Sequence, residues 1–351
     1  MRPTWIWMGL VGFAALGCGN PMKVVTANRI CDVVHTNNKV VLEMGVNPDG
    51  GQVIAVPLVK AGADCPRVAV LDVDGLILNQ DFTGPLSMGE NPVALFREKL
   101  DAISADPNVR AVVLRINTPG GSVTATDILW HDLQEFKSRT KLPVVACLMD
   151  VSAGGGYYLA SAADTIVAHP TTVTGGIGVI LNLYNLRELM GQFNIQPQEI
   201  KSGKHIDMGT PVRNLPEDAR KLLESMAKEY HDRFLDVVRK ARPRLDPKNE
   251  TIFDGRVFTA RSALEIGLVD RLGYLDDAVA LAREQANCSG ASPVLYRRAN
   301  DPARSLYAVT PNTPLHATML PLSVPGMDRS KLPTFLYLWQ PEATLPRLSG
   351  R

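Results

Sequence analysis

The sequence has almost no excess of charge of either sign. It contains 37 Lys and Arg residues against 36 Asp and Glu residues, a formal net charge of +1 over 351 residues. Because a protein that neutralises nucleic-acid phosphates needs a clear basic excess, no nucleic-acid partner is expected. The residues are 45% hydrophobic, enough to build a core, which excludes an intrinsically disordered chain.

The sequence also lacks the motifs that bind common cofactors. It has five cysteines and no pair with C-x-x-C spacing, so neither a zinc site nor a redox motif is indicated. No Gly-Lys-Ser/Thr follows a glycine-rich turn, which excludes a P-loop, and no G-x-G-x-x-G with an acidic partner is present. We therefore expect no cofactor and no metal.

Long apolar runs are missing as well, and the run at the start is short. Twelve apolar residues begin at Trp5 and would span about 18 Å as a helix, against about 30 Å for the hydrocarbon core of a membrane. With Arg2 before it and small residues after it, this run predicts a secretory signal. The Ala-Leu-Gly-Cys that ends at Cys18 is similar to a bacterial lipobox, so we expect residues 1–17 to be removed and Cys18 to be lipidated.

This leader sets the expected location of the protein. A lipid on Cys18 would hold the chain at a membrane of the bacterial cell envelope, on the exported side. A plain cleaved signal and an uncleaved anchor are the two alternatives. Either form of export places the chain in an oxidising compartment.

The remaining cysteines are few and scattered. Cys31 and Cys65 flank two short β-like runs, so residues 18–65 are predicted to form a linker and a short β-rich segment, and a Cys31–Cys65 disulfide is one hypothesis. Cys147 lies in the apolar run PVVACLM and is predicted to be a buried core thiol.

From residue 66 to residue 288, strand-like and helix-like patterns alternate. The runs VAVLDVDGLIL, VRAVVLRI and PVVACLM are typical of buried strands, and a helical pattern comes after each. In the first of these helices, Val93, Phe96, Leu100 and Ile103 share one face. This alternation predicts an α/β fold with a parallel sheet covered by helices.

The last part of the chain, residues 289–351, has a different composition. Nine of the 25 prolines lie in it, and it has no helical period. It ends in an aromatic run around Tyr337, which would form a sticky patch if it were exposed. We therefore predict an extended C-terminal arm that docks on its own domain or on a neighbouring subunit.

Two glycine-rich turns follow buried strands and open helices. The first contains Gly120 and Gly121, and the second contains Gly154 and Gly155. Backbone N–H groups in such turns can point to where an oxyanion develops. Taken alone, each turn fits equally well a tight connection that needs flexible residues. Ser122, after the first glycine pair, is predicted to be a helix N-cap.

Five motifs occur in one order along the chain. They are RINTPGGSVTATD, DVSAGGGYYLASAAD, TTVTGGIGVI, IKSGKHIDMGTP and FDGRVFTARSALEIGLVDRLGYLDDA. Together they resemble the signal peptide peptidase A family of serine–lysine peptidases, over about 220 residues from Arg67 to Ala286. The resemblance implies a fold of the ClpP/crotonase type with a βα superhelix, one peptidase-like domain over residues 66–288, peptide ligands, and assembly into membrane-associated rings.

The positions at which this family carries its catalytic groups hold other residues here. The nucleophile position in DVSAGGGYY is Gly154, and the base position in KSGKHID is Ile206. The serine that supports the base corresponds to Gly176 in TGGIGV. Glycine has no nucleophilic atom, and isoleucine cannot accept a proton. Because catalytic residues act as a unit, their loss typically lowers the rate of hydrolysis by orders of magnitude. We therefore expect a pseudopeptidase.

The predicted residual function is binding without hydrolysis. The backbone at Gly120, Gly121 and Gly155 would still bind a peptide carbonyl. The chain would then bind peptides, form homo-oligomeric rings, or assemble with an active paralogue. A purely structural ring-forming scaffold is a further alternative.

The sequence also leaves open a relocated serine–base pair in an active serine endopeptidase. Ser152 lies two residues before the vacant nucleophile position, and Lys201, Lys204 and His205 lie near the vacant base position. A shift of two residues moves a side chain by several ångströms, whereas catalysis needs placement within about 0.5 Å. The favoured interpretation is that Ser152 is a turn or cap residue and Lys204 a solvated charge.

Overall fold

The computed structural model describes residues 51–57, 65–80, 90–246, 249–299, 305–308 and 335–339, and the backbone of four short strands before residue 42. The chain divides into two compact units, Met1–Asn47 and Pro48–Arg351. In the first unit, β1 pairs antiparallel with β2, and β3 with β4. These strands are β1 Val24–Thr26, β2 Arg29–Cys31, β3 Val34–Thr36 and β4 Lys39–Val41.

The second unit is built on a mixed sheet of nine strands. Its strands, with two short strands that pair outside the sheet, are β5 Val53–Pro57, β6 Arg67–Asp74, β7 Val109–Thr118, β8 Gly120–Ser122, β9 Val144–Ala153, β10 Thr165–Ala168, β11 Val173–Gly175, β12 Val257–Thr259, β13 Arg271–Leu272, β14 Ser292–Arg298 and β15 Leu336–Leu338. The main path runs β12-β11-β9-β7-β6-β14-β5, β10 lies between β9 and β13, and β8 pairs with β15. Only β5 and β12 are antiparallel to their neighbours in this sheet.

The helices of the second unit cover both faces of this sheet. They are α1 Pro92–Ala105, α2 Val123–Thr140, α3 Gly155–Ala160, α4 Arg187–Gln192, α5 Glu217–Ala241, α6 Ala260–Glu265 and α7 Leu275–Gln285, with a 3₁₀ turn at Glu250–Ile252. Helices α1, α2 and α3 and the end of α5 share the larger core, and α7 packs on the opposite face.

The sequence of the central strands explains this layering. Val68, Val70 and Ala69 of β6 are fully buried although they alternate between the two faces, which is what a parallel strand covered by helices on both sides requires. On α1, the predicted inward face is buried as expected, including Phe96 and Ile103. The predicted α/β class with a parallel sheet covered by helices is confirmed.

The boundaries of the predicted domain need correction at both ends. Residues 292–298, assigned to the C-terminal arm, form β14, which pairs parallel with β6. Residues 53–57, assigned to the N-terminal segment, form β5, which pairs with β14. Pro293 does not prevent this pairing, because β5 pairs only from Val294 onward and the proline lies near the strand start, where a missing N–H is tolerated.

The described cysteines carry free thiols. Cys147 is fully buried in β9, and this burial raises the pKa of its thiol to about 12. Cys65 and Cys288 are half-buried. Because Cys65 carries a free thiol, the structure does not contain the predicted Cys31–Cys65 disulfide. Cys18 lies outside the described residues, so the lipidated leader stays a prediction. Of the helices in the described ranges, none has the length and apolarity to cross a membrane.

Candidate functional site

The two glycine-rich turns meet at one edge of the sheet. Gly120 follows β7 and Gly154 follows β9, and these are adjacent parallel strands, whose carboxyl ends lie together. A Cβ added to Gly120 would lie 2.7 Å from the backbone nitrogen of Gly155. One added to Gly176 would lie 3.1 Å from the backbone nitrogen of Gly154. The structure therefore brings four of the predicted site residues into contact.

Gly154 makes the sharp turn between β9 and α3. Its φ is +53° and its ψ is −119°, and its N–H donates to the Gly175 carbonyl over 2.9 Å. A residue with a side chain would be strained in this conformation. A strained strand–turn–helix connection is also the arrangement that presents the nucleophile in many hydrolases. Position 154 thus combines this backbone geometry with a residue that has no nucleophilic atom.

Ser152, the candidate substitute nucleophile, is fully buried in the sheet. Its hydroxyl donates to the Ile116 carbonyl over 2.8 Å, and its carbonyl accepts from the Thr174 hydroxyl over 2.7 Å. These bonds tie β9 to the strands on either side of it. The structure therefore places Ser152 inside the sheet and not at the surface of the site.

The predicted base position lies on an exposed turn between α4 and α5. The Ile206 side chain is 72% exposed. The basic residues close to it in sequence contact a surface carboxylate. Lys204 forms an ion pair with Asp218, and His205 Nε2 lies 3.7 Å from the same carboxylate.

Lys201 is also held by carboxylates. It forms ion pairs with Asp207 and Glu199. These hydrogen bonds, first that with Asp207, raise the pKa of Lys201 above its usual value. A lysine base needs the opposite shift, because it must be neutral to accept a proton near neutral pH.

Part of the C-terminal arm lies across the glycine turns as an extended strand. We call residues 335–339 the docked segment; its strand β15 pairs antiparallel with β8, with Tyr337 opposite Gly121. On its other side, Leu336 exchanges two backbone hydrogen bonds with Ile180, of 2.9 and 3.0 Å. The docked segment is therefore paired along both of its edges.

The register of this pairing places one carbonyl of the docked segment at the site. Val123 N–H donates to the Phe335 carbonyl and Trp339 N–H to the Pro119 carbonyl, over 3.2 and 2.9 Å. Hydrogen-bonded pairs recur every second residue in an antiparallel ladder, so the pair between them, Gly121 with Tyr337, is also hydrogen-bonded. The Gly121 N–H therefore donates to the Tyr337 carbonyl.

The same carbonyl faces the vacant nucleophile position. A Cβ added to Gly154 would lie 2.5 Å from the carbonyl oxygen of Tyr337 and 2.8 Å from its carbonyl carbon. A Cβ added to Gly120 would lie only 1.9 Å from this oxygen. The site thus holds a peptide carbonyl of its own chain against the predicted nucleophile position.

The Tyr337 side chain fills an aromatic pocket next to this carbonyl. It is fully buried, stacks on Tyr158 with ring centroids 5.1 Å apart, and packs against Phe234 at 4.7 Å. Its hydroxyl donates to the Tyr230 carbonyl over 2.7 Å. Burial raises the pKa of Tyr337, which keeps the phenol neutral.

Sequence reasoning missed this pocket. Its walls come from α3 and α5, which are far apart in sequence, and only the aromatic run around Tyr337 signalled that the arm would be buried. In the described part of the chain, no group of three or more His, Cys, Asp or Glu side chains is arranged to hold a metal.

Comparisons with known proteins agree with the motifs at this site. The sequence model of Peptidase family S49 matches residues 136–289. The chloroplastic serine protease SPPA of Arabidopsis thaliana is 33% identical over 224 residues, 63% of this chain and 32% of that protein. The putative signal peptide peptidase SppA of Enterococcus faecium is 28% identical over 248 residues, 71% of this chain and 72% of that protein. Over residues 136–289 the chain is therefore similar to peptidase family S49.

The S49 match confirms the predicted resemblance to the signal peptide peptidase A family. A further relative, protease 4 of Salmonella typhi, is 31% identical over 219 residues, 62% of this chain and 34% of that protein. The chain therefore matches about a third of the length of two of these three relatives. Among solved structures, a mutant of the membrane-bound stomatin-specific protease 1510-N is similar with a TM-score of 0.40 and 16% identity, over 62% of this chain and 84% of that one.

Proposed function

We propose that this chain binds extended peptide segments without hydrolysing them. The observation that carries the proposal is at position 154, where a glycine occupies the nucleophile turn and the Tyr337 carbonyl lies 2.5 Å from the point at which a side chain would begin. A serine hydroxyl has no room there while the docked segment is bound. The same contact supports peptide binding, because it is made by peptide backbone in strand form.

Ser152 supports the proposal from a second direction. The alternative of an active endopeptidase requires this hydroxyl to reach a substrate carbonyl, yet it is buried and donates to Ile116. The pKa of Lys201 is raised, which disfavours this lysine as the base. Neither group has the geometry or protonation that an activated nucleophile needs.

A hydrolysis assay tests this proposal. The full chain is incubated with a quenched hydrophobic peptide, beside Ser152→Ala and with chymotrypsin as the positive control. We expect no turnover by either form of the chain. Turnover by the unchanged chain that Ser152→Ala abolishes would overturn the proposal in favour of the relocated nucleophile.

The proposal places the protein at a bacterial membrane, on the exported side, through a lipid on Cys18. The leader sequence supports this location. We expect Cys18→Ser to leave the membrane fraction of expressing cells and to lose the added lipid mass. An unchanged membrane fraction for Cys18→Ser would contradict lipid anchoring.

We also propose that the chain assembles with further copies or with an active paralogue. Large apolar side chains are more than half exposed along one stretch of the second unit, and contact with another chain would remove them from water. They are Leu189, Phe193, Ile195, Ile200 and Ile206. Light scattering of the purified protein should give a mass of several chains, and Ile200→Lys with Phe193→Lys should lower it. A monomeric protein that binds no paralogue in a pulldown would contradict assembly, and a ring that binds no peptide would favour the scaffold alternative.

A further inference from the structure

We infer that the groove of this chain is selective for tyrosine at the position that faces Gly154. This inference rests on the proposed peptide binding and names its ligand class: an extended segment of about five residues with a central tyrosine between apolar residues. The docked segment, Phe335-Leu336-Tyr337-Leu338-Trp339, is the one such ligand within the described structure.

The pocket matches the shape of a planar aromatic ring. Tyr158 stacks on the Tyr337 ring with 22° between the planes, and Phe234 tilts against it at 53°. Tyr158 and Phe234 also contact each other edge to face, with centroids 5.0 Å apart. A branched aliphatic side chain would leave part of this flat space unfilled, and close packing makes such a gap costly.

The end of the pocket distinguishes tyrosine from phenylalanine. The Tyr337 hydroxyl donates to the Tyr230 carbonyl over 2.7 Å. Residue 230 lies within α5, so its carbonyl also accepts a helical hydrogen bond, and the phenol uses the second lone pair. A phenylalanine would fit the pocket but would lose one neutral hydrogen bond.

The pocket wall is held in position by charged residues behind it. The Tyr158 hydroxyl donates to Asp127 over 2.5 Å, and Arg233 donates to both oxygens of the same carboxylate over 2.7 and 2.8 Å. These bonds fix the plane of the Tyr158 ring through contacts that do not involve the ligand. A fixed wall lowers the ordering cost of binding and sharpens selection by shape.

The backbone beside the pocket sets the direction of the ligand. The Gly121 pairing requires a strand antiparallel to β8, and the bare Cα of Gly154 lets the ligand carbonyl approach. A peptide that satisfies both contacts must present its central side chain to Tyr158 and Phe234. The backbone contacts therefore fix the register of any bound segment so that its central side chain lies in the aromatic pocket.

Free peptides can test this selectivity once the docked segment is weakened. The protein is the full chain with Tyr337→Ala, and the probes are fluorescent peptides with the sequence Phe-Leu-Tyr-Leu-Trp, the same with Phe or Ala in the centre, and a scrambled peptide with terminal Tyr. Binding is followed by fluorescence polarisation. We expect the Phe peptide to bind about 2- to 12-fold more weakly than the Tyr peptide, the effect of one hydrogen bond, and the Ala peptide more than about 100-fold more weakly.

The outcomes separate this inference from the proposed function. Equal binding of the Tyr, Phe and Ala peptides would overturn tyrosine selectivity and leave peptide binding intact. Absence of binding by every peptide would overturn peptide binding, and the inference with it. A second measurement, hydrogen exchange of residues 335–339, uses no free peptide. The exchange rate should rise about 2- to 12-fold in Tyr337→Phe and far more in Tyr337→Ala. Identical exchange rates in the two variants would also overturn the inference.

Discussion

Replacing Gly154 by alanine adds one methyl group where the docked segment crosses the site. The new Cβ would lie 2.5 Å from the Tyr337 carbonyl oxygen and 3.0 Å from the Leu338 nitrogen. Ordinary contacts of this kind begin at 3.4 Å. The backbone of the docked segment must therefore move back by about 0.9 Å, or the turn that carries residue 154 must shift by as much.

This displacement acts on the hydrogen bonds that hold the docked segment. The bonds nearest to position 154 are the Gly121–Tyr337 pair and the 2.9 Å bond from Trp339 to Pro119. At about 0.5–1.5 kcal/mol each, the loss of two bonds weakens docking by about 1–3 kcal/mol, or about 5- to 150-fold. Separately, the φ of +53° would strain the alanine by about 1–3 kcal/mol and lower the stability of the whole domain.

Two measurements separate these effects. Hydrogen exchange of residues 335–339 should quicken about 5- to 150-fold, and the urea midpoint of global unfolding should fall. Gly191→Ala is the matched control, because Gly191 lies in the exposed helix α4 with nothing within 4 Å of an added Cβ. In this control, the exchange rate of residues 335–339 should stay at its original value, and the urea midpoint should stay unchanged or rise slightly.

One result would refute the reasoning. If Gly154→Ala folds and residues 335–339 exchange at the original rate, the docked segment does not lie against residue 154, and the vacant side chain is not what admits it. A lower urea midpoint with unchanged exchange would show that only the backbone strain had been correctly assigned.

Two further predictions concern buried groups away from the site. Burial raises the pKa of Cys147 to about 12. At pH 8.5, iodoacetamide should therefore label Cys288 and spare Cys147 in the folded protein, as measured by mass spectrometry. Equal labelling of the two thiols would contradict the burial of Cys147. Lys99→Met should cost about 3–5 kcal/mol of unfolding free energy, because the buried Asp72 carboxylate loses a lysine that lies 2.7 Å away. Arg97→Met, in a partly exposed ion pair with Asp132, should cost less than about 1 kcal/mol. Equal costs in urea unfolding would show that Lys99 is not buried with its partner.

Much of the fold is predictable from local sequence patterns. The inward face of α1 and the two-sided burial of β6 follow from helical period and from continuous apolar runs. Ser122, predicted as an N-cap, accepts a hydrogen bond from the Ala125 N–H at the start of α2. These features depend on residues close together in the chain, and such patterns carry the strongest signal.

The features that the sequence concealed depend on distant pairings. β14 contains Pro293 and, at its end, two buried or half-buried arginines, so its place beside β6 becomes visible only in the assembled sheet. The pocket for Tyr337 combines α3, α5 and the C-terminal arm, and no local period links them. Glycine at position 154 was visible as a lost nucleophile, but the strand that takes up the free space was not.

The docked segment has one further consequence, which concerns how molecules of this protein behave together. It hydrogen-bonds β8 on one side and Ile180 on the other, so it fills a gap between two backbone stretches. Without it, both stretches would present unpaired N–H and C=O groups beside flat glycine turns, the kind of open edge on which strands of other molecules add. By closing this gap, residues 335–339 pair the backbone groups at which such strand addition would begin.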